Sequence, residues 1–193
     1  MRVLIVSDTL AGGMGTLARA HAAFLVGRGW EVCLAAPADG SVPTPPARFA
    51  TLPVVSSLRR VGQMRAARAA LRAVWRDFGA PDTVVHAHGM RAFLLCRVAG
   101  LPKPYVSVHG AHPSDDDPLG YDRLRRAWFG LLPRLSRGAT SGEPTDVPGW
   151  TYSPFASPLL AKVDRLPFPP ADSEPVIAWL GLLDDRKQPD VFV

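Results

Sequence analysis

The sequence predicts a parallel α/β sheet with helices on both faces. Short apolar runs rich in β-branched residues recur along the chain, as strands buried on both sides do. Segments with apolar residues at helical spacing separate them. The two kinds alternate from residue 2 to about residue 135, an order that sets parallel strands side by side. Open sheets of this kind take ligands at the carboxyl ends of their strands.

The first strand is RVLIVS, residues 2–7. Gly12, Gly13 and Gly15 follow it, and a helix carrying Leu17, Ala20, Phe24 and Leu25 comes next, with Gly29 placed to end it. EVCLAA, residues 31–36, is the second strand. A proline-rich stretch over 37–46 then breaks regular structure before a third strand at about 49–54. Ser57 is an N-cap candidate for a helix over 58–78, with an apolar stripe of Val61, Met64, Ala67, Leu71, Val74, Trp75 and Phe78. Arg65, Arg68, Arg72 and Arg76 line another face of that helix. A strand at 83–86, a helix at about 91–99, a strand at 105–109 and a helix at 121–135, interrupted by Pro133, continue the alternation. After Arg137 eight prolines between Pro144 and Pro175 read as a surface linker. VIAWL, residues 176–180, is a fresh strand signal close to Val193. Residues 1–165 are therefore expected to form one domain, and 166–193 a linker with the first strand of a second, truncated one.

Composition bounds the function. The chain has 193 residues, 47% hydrophobic and 20% charged, values of a globular protein rather than a disordered one. No apolar run approaches the roughly 20 residues that span a bilayer. Its two cysteines, Cys33 and Cys96, lie in apolar stretches and read as buried thiols of a cytoplasmic protein. A net charge of +5 suits an anionic ligand or surface.

Three groups carry chemistry. Gly12-Gly13-Met14-Gly15-Thr16 sits between a strand and a helix, where backbone N–H groups and the helix dipole favour an anion. It is not a P-loop, since no lysine precedes Thr16, and it lacks the G-x-G-x-x-G spacing. A tight turn needing positive φ explains it equally well. His86 and His88 share one face of a strand end, and His109 ends the next strand, with His112 and Asp115-Asp116-Asp117 close behind. Such imidazoles suit zinc, or hydrogen bonding to a polar substrate; for His86 alone, a satisfied buried side chain is the commoner reading. The four arginines of the 58–78 helix suit either an anionic membrane or, more commonly, water.

Together these stretches resemble the N-terminal half of a glycosyltransferase of family 4, with the GT-B fold and its Rossmann-like sheet. The resemblance rests on RVLIVSDTLAGGMGTLARAHAAFLVGRGWEVCLAAP, TVVHAHG, PYVSVHG and IAWLGLLDDRKQPD, in that order. It implies a retaining transfer of sugar from a nucleotide-sugar donor to a small-molecule, glycan or lipid acceptor, with no metal and no other cofactor. It implies that Gly12, Gly13 and Lys187 hold the donor diphosphate and that His109 is the catalytic cleft histidine. His88, Gly89, Arg91 and Gly110 would then line the acceptor side. Nucleic acid is not an expected partner; peripheral membrane contact, and self-association or a partner chain through residues 171–193, are. Three departures stand out: Leu182 replaces an arginine after Gly181, the 138–152 stretch is short and lacks a helix, and the family's paired glutamates lie beyond residue 193. The chain alone is therefore expected to be inactive. Alternatives are a non-catalytic GT-B-like binding or regulatory subunit and a metal-dependent hydrolase using the histidines.

Overall fold

The computed structural model describes residues 1–39, 47–56, 60–108, 121–142, 145 and 147–153, with the backbone alone for 121–126. The chain divides into two compact units, Met1–Leu160 and Ala161–Val193, and every described element belongs to the first. These elements are β1 (Arg2–Ser7), α1 (Gly12–Gly27), β2 (Glu31–Ala36), β3 (Arg48–Thr51), α2 (Val61–Phe78), β4 (Val84–His88), α3 (Met90–Val98), β5 (Tyr105–Val108), α4 (Tyr121–Leu135), β6 (Gly138–Ser141) and β7 (Trp150–Tyr152).

All seven strands pair in parallel, in the order β3-β2-β1-β4-β5-β6-β7. The alternation of side chains across β1 explains why it is apolar throughout. Val3 and Ile5 pack with Ala18, Ala22 and Leu25 of α1 on one face. Leu4 and Val6 join Leu71, Phe78, Phe93, Phe129 and Leu132 of α2, α3 and α4 on the other. Cys33 and Cys96 are buried free thiols. Among the described residues no helix is long and apolar enough to cross a membrane.

Four sequence expectations need correcting. The buried stripe of α1 is Gly15, Ala18, Ala22 and Leu25, the first three small enough to let the helix lie close to the sheet. Phe24 is 57% exposed, with the Arg28 guanidinium over its ring. The described start of α2 is Val61 with Arg60 at the cap position, and no side chain caps it; Ser57 and residues 58–59 lie outside the described residues. The third strand spans Arg48–Thr51, ending three residues before the expected limit.

The fourth correction concerns the end of the domain. Where a linker is expected, Gly138–Ser141 and Trp150–Tyr152 form two further parallel strands. Nor does Pro133 interrupt α4, which continues to Leu135. A proline inside a helix withholds the N–H that the carbonyl four residues earlier would accept. Here that carbonyl is Phe129's, and the Trp150 indole N–H donates to it at 2.9 Å. The indole also stacks on the Phe129 ring, with centroids 5.0 Å apart. β7 thus repairs the helix beside it.

Candidate functional site

The strand order reverses between β1 and β4: β2 and β3 lie beyond one, β5 to β7 beyond the other. Chain connections leave such a point in opposite directions, which opens a crevice at the carboxyl ends of the two strands. Ser7 pairs with His88 there, and the helices that follow, α1 and α3, both begin at that edge.

The loop after β1 is braced from both sides. Asp39, just past β2, accepts hydrogen bonds from the Thr9 hydroxyl and from the Leu10 N–H, the latter at 2.7 Å. Burial works against that charge, but these donors together with Asp39's own amide hold the carboxyl below its usual range. Arg19 reaches back from α1 to the Leu10 carbonyl at 2.9 Å. Of the three glycines, Gly15 is a packing requirement, since a Cβ there would lie 2.1 Å from the Leu10 carbonyl. Gly12 has φ +63, and Gly13 has open space around its missing Cβ. Both are exposed, and no side chain caps α1. The first amides of the helix are therefore presented to an anion at the crevice.

Across the crevice, Asp8 lies against the start of α3. Its side chain is only 8% exposed, and burial pushes its carboxyl up to about 6. The Arg91 guanidinium, with Nε 3.7 Å from Oδ2, and the backbone N–H groups of Ala92 and Arg91 act in the opposite direction without overcoming burial. Asp8 thus serves α3 as an N-terminal acceptor supplied from another element. Gly89 makes this possible: its φ is +97, and a Cβ on it would lie 2.3 Å from Asp8 Oδ2. Arg91 stands at the exposed rim and donates to the Val55 carbonyl at 3.1 Å.

The histidines gather on the α1 side of β4. His86 and His88 stack with centroids 4.6 Å apart. The third imidazole beside them is His21 of α1, whose Nδ1 is 3.2 Å from His88 Nε2. Burial lowers the His21 pKa, favouring the neutral ring. His86 Nε2 lies 2.8 Å from Ser107 Oγ, which lies 2.7 Å from Thr140 Oγ1, so a polar row crosses β4, β5 and β6. One nitrogen from each of His21, His86 and His88 falls within 4.8 Å of the others. Zinc ligated at about 2.0–2.1 Å needs closer convergence than that, whereas the His21–His88 spacing already suits a hydrogen bond.

Of the residues singled out from sequence, Gly12, Gly13, Gly89 and Arg91 meet at the crevice, with His88 buried beneath it. His109, Gly110, His112, Asp115 to Asp117 and Lys187 lie outside the described residues. Sequence reasoning passed over Asp8, Asp39 and His21. A carboxylate directly after a strand, at the sheet edge where ligands bind, is the signal that finds Asp8.

Comparison with known proteins follows the same outline. The sequence model of Glycosyltransferase Family 4 matches residues 11–141, more than half of the chain. No curated protein sequence matches it. Among solved structures, MurG of Acinetobacter baumannii is similar at 15% identity with a TM-score of 0.54, over 79% of this chain and 44% of that one. SsfS6, a glycosyltransferase of Streptomyces sp. SF2575, aligns at 15% identity with a TM-score of 0.46, over 79% of this chain and 53% of its own. The chain thus spans about half the length of the structures it matches. The likeness to MurG is one of fold, a Rossmann-like GT-B sheet. By the extent of the family match, the chain belongs to glycosyltransferase family 4.

Proposed function

We propose that this chain is the acceptor-side half of a retaining glycosyltransferase, which moves a sugar from a nucleotide-diphosphate donor to an acceptor. The observation that carries the reading is the family match over residues 11–141, which covers Gly12 and Gly13, both crevice helices and five of the strands, β2 to β6. The uncapped amides at Gly12 and Gly13, with Lys187, receive the donor diphosphate. Positive charge held there stabilises the leaving group as its charge develops, with no metal or cofactor needed. His109 hydrogen-bonds the transferred sugar as the catalytic histidine, and His88, Gly89, Arg91 and Gly110 shape the acceptor side. Transfer requires a donor-binding half in addition to residues 1–160; the share of the matched structures that the chain spans supports this.

One residue favours a second reading. Leu182 stands where the family commonly has a phosphate-binding arginine, as it would in a binding or regulatory subunit that performs no transfer. An assay of nucleotide release from uridine and guanosine diphosphate sugars separates the two readings. It is run on this chain alone and with a donor-binding half supplied, and the product anomer is read by NMR. Release with retained configuration only in the completed protein is the expected result. Binding of a sugar nucleotide with no transfer in either case establishes the second reading.

A further inference from the structure

Away from the crevice, α2 carries a groove that sugar transfer does not use. Arg65, Arg68, Arg72 and Arg76 line it, over a volume of about 630 Å³. The rest of its lining is small, Ala69, Ala99 and Gly100, beside Trp75. Ala99 and Gly100 follow α3 and precede β5, so the groove reaches the edge of the sheet opposite the crevice. All four arginines are exposed, and none of the described residues lining the groove is acidic. Asp77, the only acid on α2, pairs instead with Arg48 of β3. Successive arginines stand three or four residues apart, a spacing at which like charges repel and weaken a helix. A solvated helix face ordinarily mixes both signs. Here the repulsion is kept over roughly 16 Å of helix, at about 1.5 Å per residue.

We propose that this groove docks an acidic segment of a partner protein in extended conformation. Arg72 Nε donates to the Ala99 carbonyl at 2.9 Å, so its guanidinium cannot swing along the helix to share one anion with the others. The positive charge stays spread in a row, and a row of anions matches it better than a single phosphate does. Arg68, Arg72 and Arg76 are four residues apart, about 6 Å along the axis. Side chains on one face of an extended peptide recur about every 6.6 Å. Acidic residues at alternate positions therefore meet successive arginines, and each guanidinium can grip a carboxylate through paired N–H donors. Ala69, Ala99 and Gly100 project little, which lets a peptide backbone settle beside the row. A Cβ on Gly100 would stand 3.6 Å from Arg72 Nη2, and its absence leaves that place open. A single-stranded nucleic acid would instead need an aromatic face on which to stack its bases. Trp75 packs against the core, its ring so close over Gly79 that a Cβ there would come within 2.5 Å of it. The indole is thus fixed as a wall of the groove and cannot turn onto a base. The proposal does not depend on sugar transfer, because the groove is lined by no residue of the crevice.

The test is fluorescence anisotropy of a labelled peptide of alternating glutamate and serine, titrated with the full chain. A glutamine–serine peptide, single-stranded DNA and, by cosedimentation, phosphatidylglycerol vesicles are compared at the same salt. Two double variants are checked for folding by circular dichroism and titrated alike. Arg68→Gln/Arg76→Gln alters the groove, whereas Arg28→Gln/Arg134→Gln removes the same charge from exposed arginines outside it. Arg72 is left intact because it also holds the end of α3. The acidic peptide is expected to bind and the glutamine peptide is not. An exposed charge pair is worth up to about fivefold in affinity, so the groove variant should bind on the order of tenfold more weakly. The control variant should bind as the unaltered chain does. No binding of the acidic peptide, equal binding of the glutamine peptide, an unaltered groove variant, or equal weakening in both double variants overturns the proposal. So does tighter binding of the DNA or the vesicles than of the peptide, which would assign the row to nucleic acid or to lipid.

Discussion

The indole of Trp150 donates to the carbonyl of Phe129, the oxygen for which Pro133 withholds the helical N–H. A β7 side chain thereby completes a hydrogen-bond ladder belonging to α4. Trp150→Phe keeps an aromatic ring against Phe129 but removes the donor, and leaving a buried carbonyl short of one costs about 1–3 kcal/mol. Pro133→Ala restores a backbone N–H at the position that serves Phe129. Trp150→Phe should therefore cost clearly less in the Pro133→Ala background, a coupling read from urea denaturation of the four proteins in a double-mutant cycle. Strict additivity would mean that the indole acts by packing alone.

Gly89 joins β4 to α3 with φ +97, and its missing Cβ is the space Asp8 occupies. Gly89→Ala adds both backbone strain and a collision. Gly100 provides the comparison: its φ is +76, but a Cβ there meets only Arg72 Nη2 at 3.6 Å. Each positive-φ substitution should cost on the order of 1–3 kcal/mol from strain. Gly89→Ala should be the worse of the two, because Asp8 must leave the α3 N-terminus. Equal losses in melting experiments would show that Asp8 moves aside freely.

The fold was legible because buried parallel strands leave an unmistakable trace: β1 and β2 were readable to the residue from RVLIVS and EVCLAA. β6 and β7 were not, since GATS and WTY are short and carry no run of Val or Ile, and the prolines around them suggested a linker. What makes β7 a strand is its parallel pairing with β6, backed by the Trp150 contact with Phe129 of α4, and no local window contains either. The site was legible in part for the same reason. Gly12, Gly13 and the His86–His88 pair announce themselves by spacing. His21 is remarkable in no local pattern, and becomes a partner of His88 only when α1 is laid on β4. Asp8 carries a local signal in its place directly after β1, but its seat at the start of α3 depends on Gly89, far along the chain, leaving room for it.

His21 makes stability sensitive to acid. Burial lowers its folded pKa below the ordinary 6.5, so the unfolded chain takes up a proton first as pH falls. The folded state then loses stability as pH drops below about 6.5, with the loss continuing until the folded pKa is reached. His21→Gln keeps a hydrogen-bonding side chain near His88 but does not titrate, and should flatten this part of the profile. Chemical denaturation across the range, with the histidine ring protons followed by NMR, measures both effects. An unchanged acid slope in His21→Gln would place the titrating group elsewhere.

Asp8 should act with the opposite sign over an overlapping range. Its carboxyl titrates at about 6 when folded and at 3.8 ordinarily, so between these values the folded chain keeps a proton that the unfolded chain has lost. Stability contributed by the protonated form is full below about 4, falls as pH rises to about 6, and stays reduced at neutrality. A displacement of roughly two pKa units corresponds to a penalty of at most about 3 kcal/mol. Asp8→Asn carries no charge, and its amide oxygen can still accept from the start of α3. It should match the parent protein at about pH 4 and exceed it by on the order of 1–3 kcal/mol at about pH 7, as measured by urea denaturation. The variant also exposes the His21 effect, since the two slopes oppose each other between about pH 4 and 6 in the unaltered chain. A parent protein retaining so unfavourable a carboxylate beside Arg91 is consistent with a group held for function at the crevice. An Asp8→Asn protein no more stable than the parent at neutral pH would mean that Arg91 and the α3 amides compensate the buried charge in full.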